Sequence, residues 1–163
     1  MEHKAYVFNY KSFENELMPI LANCLKNGDI ELLRSFIAAH KDSVTDPYEG
    51  EELPSNWEDA LENRDVHEYG DYALTRYYDP SEDIGLGERW LQLDDRLQTL
   101  ALGTPLGEAI LFDPGRMGSY FQSPDQIAEA LRLAQAIQPA LPGVADLANL
   151  LRSGRAKGLY VTF

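Results

Sequence analysis

The sequence predicts an α+β fold: a mostly helical single domain, residues 1–163, with a small sheet that includes both termini. Two observations carry this prediction. Apolar residues recur at three- and four-residue spacing along much of the chain, and short apolar runs typical of strands lie near its two ends. The length suits one domain, and 44% hydrophobic with 25% charged residues is ordinary for a globular protein.

The N-terminal part is predicted to form a strand followed by a helical hairpin. Residues 5–8 are the strand, and Ser12 is the expected N-cap of the first helix. Pro19 leaves two alternatives, because a proline either occupies the first turn of a helix or kinks it. Gly28 is expected to end this helix and Asp29 to cap the second one.

The middle of the chain gives mixed signals. Residues 43–56 combine prolines, glycine and acidic side chains, which predicts an exposed loop. A short helix is expected after Ser55 or Asn56, whereas residues 65–78 could be helix or strand. Residues 86–101 place leucines and a tryptophan on one helical face, which predicts a single helix.

The C-terminal part is predicted to alternate strands and helices. Residues 109–112 form a buried strand, and Ser123-Pro-Asp-Gln126 has the pattern of a capping box that opens a helix. A last helix spans roughly residues 144–152. The chain then closes on residues 159–163, a strand that can pair with residues 5–8.

The net charge is concentrated in one segment, Asp46 to Asp95, which we call the acidic block. It holds sixteen acidic and three basic residues, a balance of −13, whereas the other 113 residues hold eleven of each and balance to zero. The block also carries seven large aromatic residues: Tyr48, Trp57, Tyr69, Tyr72, Tyr77, Tyr78 and Trp90. Acidic charge interleaved with aromatic rings predicts a surface that meets a basic partner.

This pattern favours a non-enzymatic protein-binding module that docks a basic protein, since charge steers the encounter and aromatic rings anchor it. Bacterial immunity proteins against nuclease toxins are similar in being small, acidic, cysteine-poor and cytosolic. The predicted contacts are Glu51, Glu52, Trp57, Glu58, Asp59, Glu62, Tyr69, Asp71 and Tyr72. The competing interpretation is that the acids only keep the protein soluble and the rings belong to the core.

Composition excludes several other classes. One cysteine, Cys24, allows neither an intrachain disulfide nor a cysteine-based zinc site, which fits a reducing, cytoplasmic setting. We expect neither a signal peptide nor a membrane span, because no apolar run is long enough for either. The negative charge also disfavours nucleic acid and anionic membranes as partners.

Motifs for cofactors and metals are incomplete, so the sequence predicts no cofactor and no metal site. Gly85-Leu86-Gly87 begins like a dinucleotide fingerprint, but Trp90 stands where the third glycine belongs. His67-Glu68 begins like a zincin motif, but Asp71 replaces the second histidine. A calcium loop starting at Asp65 would need a glutamate where the chain has Arg76.

A small enzyme without a local signature is the alternative hypothesis. Arg116, close to the helix that starts after Ser123, would hold an anion, with a carboxylate or His67 as acid and base. Shape should separate the hypotheses. An enzyme needs a concave pocket with convergent polar groups, whereas a docking protein should show a flat or convex acidic patch with exposed tyrosine and tryptophan.

The C-terminal half resembles a family of bacterial proteins. Leu102-Gly-Thr-Pro-Leu-Gly-Glu108, Asp113-Pro-Gly-Arg-Met-Gly-Ser-Tyr120 and Ser123-Pro-Asp-Gln-Ile-Ala-Glu-Ala130 look like segments of YfbM-like proteins, which also tend to end on a short hydrophobic strand. The first eighty residues lack that family's usual opening. The family has no settled activity, so the resemblance implies an α+β fold and assigns no functional residue.

Overall fold

A computed structural model describes residues 2–101, 119–137 and 139–163. These residues form an α+β domain in which a three-stranded antiparallel sheet lies between two groups of helices. The strands are β1 (Lys4–Val7), β2 (Tyr120–Gln122) and β3 (Leu159–Thr162). The helices are α1 (Tyr10–Glu16), α2 (Met18–Asn27), α3 (Glu31–Ala39), α4 (Val66–Leu74), α5 (Asp95–Ala101), α6 (Pro124–Ala136) and α7 (Val144–Gly154).

The two terminal strands pair with each other, as the sequence predicts. β3 is the central strand, with β1 on one side and β2 on the other. Tyr6 lies opposite Tyr160 in the β1–β3 pair, and Phe121 lies opposite Tyr160 in the β2–β3 pair. Because side chains alternate across a strand, these three rings share one face of the sheet.

Both faces of the sheet are covered by helices. The face with Tyr6 and Tyr160 packs on α1 to α4, and the face with Ala5 and Val161 packs on α5 to α7. Strands buried on both sides lose the alternation of polar and apolar residues and become short continuous apolar runs. This explains why the terminal strands are recognisable as uninterrupted apolar segments.

The outer edge of β1 is covered by the segment of residues 83–87. The Ile84 amide donates to the Ala5 carbonyl at 2.8 Å, and the Gly87 amide donates to the His3 carbonyl at 2.9 Å. A methyl group at Gly85 would lie 2.3 Å from the His3 carbonyl oxygen. Gly85 of the incomplete fingerprint therefore serves close backbone packing, whereas Gly87 has open surroundings and a left-handed backbone, φ 56°.

The first hairpin differs from the prediction in its cap. α1 begins at Tyr10, and the Asn9 side chain, rather than Ser12, accepts a backbone hydrogen bond, donated by the Ser12 amide. α2 begins at Met18 with Pro19 in its first turn, which is one of the two alternatives. Gly28 ends α2 in the left-handed conformation, φ 71°, as predicted.

The prediction of one helix over residues 86–101 is wrong. A 3-10 helix spans Glu88–Gln92, Leu93 is extended, and α5 begins only at Asp95. Asp94 accepts a hydrogen bond from the Arg96 amide at 3.0 Å, which stabilises this break. Leu86, Trp90, Leu93 and Leu97 are still buried, so the three- and four-residue spacing identified the buried face and missed the interruption.

The remaining elements follow the sequence more closely. Most of residues 65–78 are helical: α4 continues into a 3-10 turn, Thr75–Tyr77, and Tyr78 after it is extended. Ser123 and Gln126 form the predicted capping box of α6. α7 extends two residues beyond the expected end, to Gly154. The predicted strand at residues 109–112 lies outside the described residues, and none of the described helices is long and apolar enough to cross a membrane.

Gly85→Ala should destabilise the fold strongly, because the added methyl group would press against the backbone of β1 and not against a flexible side chain. We expect a loss of about 3 kcal/mol in the free energy of unfolding. Gly28→Ala is the matched control, since its surroundings are open and only the positive φ is strained, at about 1 kcal/mol. Urea denaturation of both variants measures the difference, and equal losses would contradict the close packing.

His3 should make stability depend on pH. Its side chain is 1% exposed, stacks on Trp90 with ring centroids 4.5 Å apart, and accepts a hydrogen bond from the Leu86 amide at Nδ1. Burial lowers the pKa of His3 from 6.5 to about 4, against a smaller opposing effect of Asp83. The unfolded chain therefore binds a proton between pH 6.5 and 4 that the folded chain does not.

Stability should consequently fall as the pH drops through that window, by about 3 kcal/mol from this group alone. NMR titration of the histidine ring protons checks the cause, and His3 should stay neutral until about pH 4. Denaturation of His3→Asn should show a shallower pH dependence over the same window. A His3 that titrates near 6.5 would contradict the buried neutral ring.

Candidate binding cleft

A cleft of about 860 Å³ lies where the sheet meets α4. One wall comes from β1 and β3 and a second from α4. The rest of the lining comes from connecting segments: Glu2, Pro47, Tyr48, Ala60, Glu62, Asn63, Tyr78, Pro80, Asp83 and Phe163. The cleft therefore depends on the pairing of the two terminal strands and on the acidic block at once. We call it the acidic cleft.

The acidic cleft carries a strong excess of negative charge. Among the described residues that line it, five have carboxylates and one is a lysine, Lys4. The five acids are Glu2, Glu62, Glu68, Asp71 and Asp83. Like charges converging on a concave surface focus a negative potential and raise the local concentration of cations.

Tyrosine is the other residue type that dominates the described lining. The five rings belong to Tyr6, Tyr48, Tyr72, Tyr78 and Tyr160. Three of them pack together, because the Tyr6–Tyr78 and Tyr78–Tyr160 centroids lie 4.7 and 5.2 Å apart. Tyr48 differs from them, since it is 76% exposed. The cleft thus has an aromatic floor and one ring at its mouth.

α4 positions four lining residues by helical spacing. His67 and Asp71 are four residues apart, and so are Glu68 and Tyr72. Residues four apart lie on the same side of a helix, and all four side chains line the cleft. The Asp65 side chain caps the helix by accepting from the Glu68 amide at 3.0 Å. The helix start is therefore fixed where it meets the cleft.

The rim of the cleft is held by the Glu68 carboxylate. It accepts backbone hydrogen bonds from Glu62, Asn63 and Arg64, at 2.6–2.8 Å. Arg64 takes a left-handed conformation, φ 52°, which is unfavourable for a residue with a side chain. The three charge-assisted bonds offset this strain, so Glu68 acts as a structural anchor of the rim.

A tight turn places Tyr48 at the mouth of the cleft. The Asp46 carboxylate accepts from the amides of Tyr48 and Glu49, at 2.7 and 3.1 Å. The backbone of Asp46 bonds to Gly50 and Glu51, which closes the turn. This turn is built from side-chain and backbone bonds within a few residues, so it presents the ring without help from the core.

The tyrosine hydroxyls of the acidic cleft stay protonated. Burial is the main cause of the raised pKa of Tyr72, Tyr78 and Tyr160, and nearby charges, that of Asp71 among them, raise these pKa values further. The pKa of Tyr72 rises to about 12. Burial also raises the pKa of Tyr6. Protonated hydroxyls serve as hydrogen-bonding groups and not as bases or nucleophiles at neutral pH.

The structure separates the nine predicted contacts into three groups. Glu62, Asp71 and Tyr72 line the acidic cleft. Three others are exposed acids of the acidic block that do not line it: Glu51, Glu52 and Asp59. The last three are wholly or partly packed: Trp57, Glu58 and Tyr69.

Tyr69 cannot be a surface anchor in the folded protein, because it is 1% exposed. Its hydroxyl donates to the Glu58 carboxylate at 2.7 Å, and Arg34 pairs with the same carboxylate at 3.1 Å. The Tyr69 bond and the Arg34 charge lower the pKa of Glu58. The half-buried Trp57 packs edge-on against Tyr69, with centroids 5.8 Å apart. Tyr69 therefore belongs to the core, whereas Trp57 packs against the core and stays partly exposed.

Sequence reasoning missed most of the aromatic floor. Tyr6 and Tyr160 lie at opposite ends of the chain, and the predicted pairing of the terminal strands was the signal that could have joined them. Tyr48 and Tyr78 belong to the acidic block but lie in loops, where no periodicity predicts direction. Only the assembled fold brings these rings together.

The residues of the enzyme hypothesis are only partly described. His67 lines the acidic cleft next to Glu68 and Asp71, whereas Arg116 lies outside the described residues. Within the described ranges, no group of three or more metal-ligating side chains comes together. The cleft is concave, where a docking protein was expected to show a flat or convex patch.

Comparison with known proteins gives no match. No protein-family model, curated protein or solved structure matches this chain. The resemblance to YfbM-like proteins therefore stays a prediction, and function has to be argued from the acidic cleft itself.

Glu68→Ala should destabilise the protein and loosen the rim, because three backbone amides lose a charged acceptor. We expect a loss of about 2 kcal/mol in the free energy of unfolding. Glu62→Ala is the control, since it removes an exposed carboxylate from the same cleft and should change stability by less than about 0.5 kcal/mol. Thermal unfolding compares the two, and equal effects would argue against the anchor role.

Proposed function

We propose that this chain is a protein-binding module and that the acidic cleft receives a basic segment of a partner protein. The observation that carries the proposal is the charge of the described lining, five carboxylates against one lysine, on a concave surface rich in tyrosine. Charge of one sign steers an oppositely charged partner, and tyrosine is a favoured anchor at protein interfaces.

The size of the cleft supports a segment of polypeptide as the occupant. A volume of about 860 Å³ lies toward the upper end of the range typical of ligand pockets, with room for several side chains. Exposed acids outside the cleft, such as Glu51 and Asp59, extend the negative surface. They would act at a distance by steering, while the cleft makes the contacts.

The concave shape is the one expected of the enzyme alternative, but the groups that dominate the lining favour binding. The raised pKa values keep the tyrosine hydroxyls protonated, and the Glu68 carboxylate is already bonded to three amides. These groups are suited to holding a cation and not to moving a proton. Cytoplasmic action fits the proposal, because the one cysteine, Cys24, is buried and free.

A basic partner of this kind has a surface that otherwise attracts polyanions. A carboxylate-rich cleft competes for such a surface in the same way as a run of phosphates, which is how immunity proteins act on nuclease toxins. The proposal therefore extends to an inhibitor-like role, in which occupation of the cleft masks the partner's basic segment.

Lys4→Glu should strengthen binding, because it reverses the one lysine charge of the described lining at an exposed position. The probe is a short synthetic peptide of alternating arginine and serine, titrated by calorimetry at about 20 mM and about 300 mM salt. We expect affinity to rise roughly 3- to 10-fold at low salt and the difference to shrink at high salt.

Neutralising one acid inside the cleft and one outside it tests where the peptide binds. Glu62→Gln, within the cleft, should weaken the peptide several-fold, whereas Asp59→Asn, in the acidic block but outside the cleft lining, should have a smaller effect. Equal losses of affinity in the two variants would indicate that the peptide contacts the acidic block as a whole and not the cleft in particular. An equally tight glutamate–serine peptide, or no binding of the basic peptide at either salt, would overturn the proposal.

A further inference from the structure

His3 is a buried histidine with one ring nitrogen paired and the other unpaired. Its ring stacks on Trp90, and Phe163 packs against it edge to face, with centroids 4.5 and 5.5 Å away. Nδ1 accepts a hydrogen bond from the Leu86 amide at 3.0 Å, whereas Nε2 has no partner among the described residues. A buried polar atom without a partner lowers stability, so packing alone does not account for a histidine at this position.

His3 holds residues 83–87, which we call the strap, against the outer edge of β1. The backbones of His3 and Gly87 exchange two hydrogen bonds, at 2.9 and 3.4 Å, and the Ile84 amide donates to the Ala5 carbonyl at 2.8 Å. His3 itself precedes β1 and lies outside the β1–β3 register. The strap can therefore separate from β1 while the pairing of the two terminal strands stays intact.

The strap also carries part of the acidic cleft. Asp83 lines the cleft, and its carboxylate accepts from the Ala5 amide at 3.1 Å and from the Gly85 amide at 2.8 Å. The two residues that flank His3 in the chain line the cleft as well. A change at His3 that frees the strap therefore also releases a carboxylate of the cleft from its backbone support.

A proton on Nδ1 of His3 is incompatible with this arrangement. An imidazolium donates at both nitrogens, so the Leu86 amide would face a second donor in place of its acceptor. Burial opposes the charge and lowers the pKa of His3 to about 4, against the weaker effect of Asp83. The stacked face of Trp90 also favours a cation, and it too is outweighed.

Few other charges lie near the ring of His3. The charged residues next to it in the chain and on the 3-10 helix that carries Trp90 are Glu2, Lys4, Glu88 and Arg89. Arg89 pairs with Asp146 at 3.1 Å, and residues 159–163 carry no charged side chain. Asp83 is therefore the acid whose charge acts most on His3, and it belongs to the strap itself.

We propose that His3 is a proton-operated latch: the neutral ring holds the strap on β1, and protonation of Nδ1 releases the strap together with the Asp83 side of the acidic cleft. The released ring enters water, where its pKa returns to 6.5. The latch does not depend on which molecule occupies the cleft. A ligand that contacts Asp83 in the closed state favours the neutral histidine, so occupation of the cleft and protonation of His3 oppose each other.

Hydrogen exchange in the whole, unaltered protein tests the latch. The reporters are the four amides that donate between β1 and the strap: Ala5, Ile84, Leu86 and Gly87. Between pH 7 and 4.5 we expect their protection factors to fall roughly 50-fold, because each molecule with an open strap takes up one proton. At every pH they should stay below the protection factor of the Leu21 amide in the core of α2, since the opening is local.

His3→Asn removes the titrating group, while the asparagine oxygen can replace Nδ1 as the acceptor. The pH dependence of the four reporters should disappear in this variant. It should persist in the control His67→Asn, which removes a histidine from the cleft itself. Reporter protection that is independent of pH in the unaltered protein, that equals the protection of Leu21, or that keeps its pH dependence in His3→Asn would overturn the latch.

The arginine–serine peptide tests the link between the latch and the cleft. At saturating peptide and pH 5, the four reporters should be at least about 3-fold more protected than in the free protein, because the peptide binds the closed state. Binding without any gain in protection would overturn this link. If the peptide does not bind, the proposed function is overturned, whereas the pH dependence of the reporters still decides the latch.

Discussion

The central position of β3 is the constraint on which the rest of the structure depends. β3 bonds to β1 along one edge and to β2 along the other, and helices cover both of its faces. Its backbone groups have no access to water along either edge, so they must pair, and the pairing brings the two ends of the chain together. The same register sets Tyr6 beside Tyr160, and therefore creates the floor of the acidic cleft.

The acidic cleft concentrates like charges that repel one another, and the fold offsets this cost locally. Carboxylates that would destabilise the surface are used as acceptors for backbone amides: Asp46 in the turn before the cleft, Asp65 at the start of α4, and Glu68 along the rim. The acids left on the rim are exposed and screened by solvent. Carboxylates that hold the backbone and carboxylates that stay exposed at the cleft are thus interleaved in one segment, and their sequence does not distinguish them.

Several of the sequence predictions hold because the signals behind them are local. The capping box at Ser123, the left-handed glycine at Gly28 and the helical faces each depend on a few neighbouring residues. The continuous helix expected over residues 86–101 fails for the converse reason. Asp94 bonds to the backbone and breaks the helix, while Trp90 and Leu97 are buried as they would be in an uninterrupted one.

The α+β class, the pairing of the terminal strands and a strongly negative segment with aromatic residues could all be predicted from the amino-acid sequence. Which acids and rings meet could not, because it depends on the assembled fold. Tyr69 enters the core, whereas Tyr6 and Tyr160, from outside the acidic block, join Asp71 at the cleft. The physical reason is the distance along the chain over which each signal acts. Helix caps and apolar spacing depend on a few neighbouring residues, whereas the cleft unites residues separated by most of the chain. These residues come together because both faces of the sheet must be buried.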